Sequence, residues 1–85
     1  MHSLQQIEDL IRSEVAKCKG VAPAEIPTDS PLVEVVGLHG DDFMAVAAYI
    51  HRECKVRPRK DAYGAGVTVK EWARIIHENE SSSSR

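Results

Sequence analysis

Four consecutive residues, His39-Gly40-Asp41-Asp42, bring an imidazole and two carboxylates into one short stretch. Those groups are plausible metal ligands. Adjacent aspartates rarely converge on one ion without a further ligand, however, and no EF-hand spacing surrounds them. Helix capping explains the aspartates more simply, so no metal site is expected. Nucleophilic catalysis would need a Cys or Ser beside a His and an orienting acid. Cys18 and Cys54 fit neither a CxxC pair nor a zinc-ligand set, and two cysteines are too few for a disulfide scaffold. Each falls on an apolar stripe, so both are expected reduced, at least partly buried and non-catalytic. The run from His51 to Lys60 gathers Arg52, Lys55, Arg57, Arg59 and Lys60. Phosphate contact is conceivable there, but the only nearby aromatic residues are Tyr49 and Tyr63. No nucleic-acid reader module fits. The run reads as a solvated surface able to steer an acidic partner.

The elements that position these groups must fit into 85 residues, 42% of them apolar. That is one domain with one small core. A chain of this size buries only about two-thirds of its unfolded surface. It is too small to enclose a deep cleft of its own, and no enzyme is expected. The net charge of −2 is unevenly spread: residues 1–43 carry −5 and residues 44–85 carry +3. No apolar stretch approaches the ~20 residues of a membrane span. Met1-His2-Ser3 lacks the basic cap and apolar run of a secretion signal, so a cytoplasmic protein is expected.

Helical periodicity dominates the chain. Ser3-Leu4-Gln5-Gln6 reads as a capping box. Leu4, Ile7, Leu10, Ile11, Val15 and Cys18 then make one stripe, which predicts a first helix over 4–18 stopped by Gly20. Pro23, Pro27, Pro31, Gly37 and Gly40 forbid a long helix between Val21 and Gly40. Val21, Ile26, Leu32, Val33, Val35, Val36 and Leu38 are too apolar for a free linker. A long structured loop with one short turn near 32–36 is expected. Asp41-Asp42 opens a second helix over 42–54, with Phe43, Val46, Ala47, Ile50 and Cys54 inward and Met44 on the flank. Pro58 stops its continuation, and 59–66 has room for one more turn. Thr68-Val69-Lys70-Glu71 is a second capping box, starting a last helix through Val69, Trp72, Ala73, Ile75 and Ile76. Ser81 to Ser84 is low in complexity. The expectation is an all-α bundle over 1–80 with a disordered tail at 81–85. It has three main helices, one or two short turns, and a long loop between helices 1 and 2.

This order of elements, and several strings within it, resemble the acyl carrier protein family. The ungapped stretch runs from about Gly20 to Lys55. It includes Gly20-Val21 with Glu25-Ile26, then Ser30-Pro31-Leu32-Val33-Glu34 followed by Gly37. In that register Met44, Ala47, Ile50 and Cys54 fall on core positions of the carriers' second helix. Val67-Thr68-Val69 and Trp72 resemble the start of the last helix. The resemblance departs at the carriers' Asp-Ser-Leu-Asp motif, where this chain has His39-Gly40-Asp41-Asp42. The serine that would hold phosphopantetheine aligns with Gly40, which has no hydroxyl for a phosphodiester. The Gly-Asp-Asp string, within Leu32 to Ala47, is also similar to a bacterial family of small carrier-like proteins of unknown function, DUF1493.

The resemblance implies an acyl-carrier-like bundle with no attachment serine, no cofactor and no catalytic residue. Carriers are recognised through helix two and the loop before it. The corresponding partner-binding residues here are His39, Asp41, Asp42, Ala45, Ala48, His51 and Arg52. Asp41, Ala45, Ala48, His51 and Arg52 are expected to point outward. The expected partner is a protein offering an acidic or apolar groove, with neither nucleic acid nor membrane. Two alternatives stay open. One is a true carrier holding phosphopantetheine elsewhere, Ser30 being the nearest hydroxyl; the other is a small nucleic-acid-binding module.

Overall fold

A computed structural model describes residues 2–38, 40–58, 62–64 and 66–83. The architecture is all-helical, and no strand occurs among the described residues. The helices are α1 (Leu4–Lys19), the single-turn α2 (Leu32–Val35), α3 (Gly40–Cys54) and α4 (Val69–Ser83). A 3-10 turn, Pro23–Glu25, interrupts the loop after α1. Three main helices, short turns and a long first loop are the expected plan. α1 packs along α4 and more briefly on α3, and α3 meets α4 over a short stretch.

The α1 cap forms as its sequence predicts. Gln6 N–H donates to Ser3 Oγ at 3.1 Å, and Ser3 N–H donates back to Gln6 Oε1 at 2.8 Å. At the other end Gly20 takes φ +70°, and Val21 N–H donates to the Ala16 carbonyl at 3.0 Å. A side chain at that φ would meet its own backbone, which is why glycine ends the helix. Ile7, Ile11, Val15 and Ala16 are buried. The two ends of the expected stripe behave differently. Leu4 is exposed, and Cys18 is exposed rather than partly buried. Both lie beyond the packed middle of α1, where the surface opens into shallow clefts. Leu4 faces Thr68, Lys70 and Arg74 there, and Cys18 faces Ala45 and Val46.

The long loop is held by its own backbone groups. Arg12 Nε donates to the Ile26 carbonyl at 3.0 Å, beside the fully buried Ile26 side chain. Leu32 N–H donates to the Val67 carbonyl, and Lys70 N–H donates to the Thr28 carbonyl, both at 3.1 Å. The second bond satisfies a first-turn donor of α4, while Thr68 Oγ1 accepts from Glu71 N–H at 3.0 Å. Ile26, Leu32 and Leu38 enter the core, whereas Val21 and Val35 face solvent.

α3 starts at Gly40, two residues before the expected boundary, with Asp41 and Asp42 in its first turn. Val46, Ala47, Ile50 and Cys54 are buried and Phe43 is half-buried against them. Met44 is 68% exposed, so it does not take the core position that the carrier register gives it. The helix stops before Pro58 can act on it. Lys55 adopts φ +55°, Lys55 N–H donates to the Arg52 carbonyl, and Val56 N–H donates to the His51 carbonyl at 3.0 Å. This is a Schellman stop with lysine where glycine is usual. The expected turn over 59–66 falls partly outside the described residues. α4 carries its backbone through Ser83, and Ser84 and Arg85 lie outside the described residues. No helix is long and apolar enough to cross a membrane.

Truncating the middle of α1 should therefore cost far more than truncating its end. Ile11→Ala removes a fully buried side chain and should lower unfolding free energy by about 2–5 kcal/mol. Leu4→Ala should stay within about 0.5 kcal/mol of the parent in the same urea titration.

Candidate functional site

The start of α3 borders an apolar cleft of about 370 Å³. Val33, Leu38, Phe43, Met44, Tyr63 and Val67 form its walls, with Gly40 and Gly64 at its edge. Three elements build it: the short α2 supplies Val33, α3 supplies Phe43 and Met44, and the segment before α4 supplies Tyr63 and Val67. Gly40 takes φ +59° and is exposed, with nothing near the position a Cβ would occupy. Space would admit a side chain there, but its backbone conformation would be strained by about 1–2 kcal/mol.

An aromatic cluster lies beneath this cleft. Phe43 stacks on Trp72 with centroids 5.0 Å apart, and Tyr63 meets Phe43 edge-on at 5.9 Å. Tyr63 also tilts against Trp72 at 5.3 Å and lies parallel to His51 at 5.8 Å. His51 Nε2 and the Tyr63 hydroxyl share a hydrogen bond of 2.8 Å. Burial pushes the Tyr63 phenol well above its usual range. Trp72 Nε1–H is buried and has no hydrogen-bond partner among the described residues.

The residues expected at a partner face do not share one role. Asp41, Ala45, Ala48 and Arg52 are exposed at helical spacing along α3, as expected. Asp42 is exposed too, but its Oδ2 accepts from Lys19 Nζ at 2.9 Å and ties the start of α3 to the end of α1. His39 lies outside the described residues. His51 corrects the expectation: it is half-buried and turned onto Tyr63 rather than outward. Tyr63 was the signal missed, because it sits in a glycine-rich segment with no periodicity of its own. Ser30 is half-buried in the long loop.

The far end of α3 has the opposite character. His51, Arg52, Lys55, Val56, Arg57 and Pro58 border an open cleft of about 620 Å³. The Arg52 guanidinium covers the Tyr49 ring at 5.7 Å, which fixes its direction. Potential metal-ligating side chains also gather at this end, where Cys54 meets His2 and Glu80. Sequence distance conceals that meeting: His2 and Glu80 are 78 positions apart. It brings together the thiol, imidazole and carboxylate that no sequence signature placed side by side. Burial, and then the Glu80 carboxylate, push the Cys54 thiol up to about 11, away from the thiolate that attacks.

The chain matches no family model, no curated protein and no solved structure.

Burial lowers the pKa of His51 below its ordinary 6.5. Below that value the unfolded chain binds a proton that the folded chain resists, so stability at this residue rises with pH. Its contribution is complete above pH 6.5 and is lost as pH falls through 6.5 towards the lower folded value. Urea midpoints should therefore drop between about pH 7.5 and about pH 5.5, and His51→Gln should reduce that drop.

Proposed function

We propose that this chain is an acyl-carrier-like helical module that has no phosphopantetheine arm and works by binding a partner protein. The observation that carries the reading is Gly40, an exposed glycine at positive φ where the carrier resemblance puts the attachment serine. It stands at the edge of the apolar cleft, beside a Met44 side chain held 68% in solvent. An exposed, flexible thioether beside an apolar cleft suits contact with an apolar partner side chain. The exposed line Asp41, Ala45, Ala48 and Arg52 extends that contact along α3. At its end, Arg52, Lys55 and Arg57 favour acidic groups on the partner. The chemistry is recognition, and the reading assigns no reaction to the domain.

Intact mass after incubation with coenzyme A and a broad-specificity phosphopantetheinyl transferase tests the missing arm. The mass should not change while a true carrier in the same tube gains one phosphopantetheine. A gain mapped to Ser30 or any other hydroxyl would restore the carrier alternative. The cleft is tested separately with anilinonaphthalene sulfonate. Its fluorescence should rise with the folded protein and fall back in Met44→Glu at unchanged helical circular dichroism. No response from the parent protein would remove the cleft from the proposal. Salt-dependent retention on DNA or RNA would favour the nucleic-acid module instead.

A further inference from the structure

At the end of the bundle away from the apolar cleft, three unlike donors converge. A His2 ring nitrogen, Cys54 Sγ and a Glu80 carboxylate oxygen all lie within 4.8 Å of one another. His2 precedes α1, Cys54 closes α3, and Glu80 is near the end of α4. Glu80 is 7% exposed, and no other charged side chain among the described residues is as deeply buried. Its carboxylate accepts from His2 N–H at 2.9 Å and pairs with His2 Nδ1 at 2.6 Å. Burial alone would raise the carboxyl pKa, but the His2 contacts outweigh it and hold the group below its usual value. A buried carboxylate, a buried thiol and a half-exposed imidazole thus meet.

We propose that His2, Cys54 and Glu80 form a binding site for a divalent cation of the zinc class. Sulfur, nitrogen and oxygen donors together suit Zn²⁺, whereas Mg²⁺ and Ca²⁺ call for oxygen throughout. Donors around tetrahedral zinc stand about 3.5 Å apart, so separations of up to 4.8 Å must close by about 1 Å while the 2.6 Å His2–Glu80 contact opens by a similar amount. The three protein donors leave the fourth position to water, the pattern of an open zinc site. Entry of the cation releases the Cys54 thiol proton to solvent. It also leaves the coordinating His2 nitrogen unprotonated, by loss of a proton from the imidazolium or by its transfer to the other nitrogen of the neutral ring. The bound cation replaces the His2–Glu80 hydrogen bond and joins the N-terminal segment to α3 and α4. This site uses none of the residues of the proposed partner face, and it departs from the expectation that the chain holds no metal.

Cobalt titration of the untagged full chain tests it, because thiolate ligation of Co²⁺ gives a near-ultraviolet charge-transfer band. One equivalent of Co²⁺ should produce that band with tetrahedral visible absorption, and Zn²⁺ should displace it. Cys54→Ala should abolish the band, and Cys18→Ala should leave it unchanged. His2→Gln lies outside the core and should weaken Co²⁺ binding at least ~10-fold with helical circular dichroism unaltered. If Cys54→Ala does not fold, His2→Gln decides alone. The proposal is overturned by the absence of a band from the parent protein or by its persistence in folded Cys54→Ala. Unchanged affinity in His2→Gln would overturn it too.

Discussion

Trp72 of α4 joins that helix to α3 and to the segment before it. Its ring stacks on Phe43 from α3 and tilts against Tyr63 from the segment before α4, and it is fully buried. Burying a ring of that size contributes on the order of 5 kcal/mol before entropy is counted. A domain of this length has only about 4–13 kcal/mol of net stability. The aromatic cluster around Trp72 is therefore a large share of what keeps α3 and α4 together.

That cluster also explains the shape of the candidate site. The direct contact between α3 and α4 is short, and the Phe43–Trp72 stack is part of it. Phe43 and Tyr63 serve both functions, closing the core on one side and lining the apolar cleft on the other. His51 is drawn into the same arrangement by Tyr63, and so it is lost to the exposed face of α3. Backbone bonds from Leu32 to Val67 and from Lys70 to Thr28 then fix the long loop across the start of α4. Together they hold Val33 and Leu38 at the edge of the cleft.

The two ends of α3 differ in chemistry as well as shape. Near Gly40 the surface is apolar, with Asp41 and Asp42 beside it. Beyond Cys54 it is basic, with the His2–Glu80 pair beneath. A helix of 15 residues is about 22 Å long, so the apolar and the basic ends stand about that far apart.

Periodicity and capping alone determined the helices. The Ser3–Gln6 box, the stop at Gly20 and the Thr68 cap are local, short-range devices, and each appears where its residues stand. Stripe membership was legible for the middle of each helix, because Ile7, Ile11, Val15 and Ile50 have neighbours on every side. It was misleading at Leu4, Cys18 and Met44, because burial there depends on whether another element reaches that far. The same limit applies to function. Gly40 in place of a serine was readable directly, since a missing hydroxyl is a property of one residue. The inward turn of His51 onto Tyr63, 12 positions away, and the meeting of His2, Cys54 and Glu80 arise only when distant segments pack. No spacing along the chain encodes such contacts, and tertiary structure alone brings those groups together.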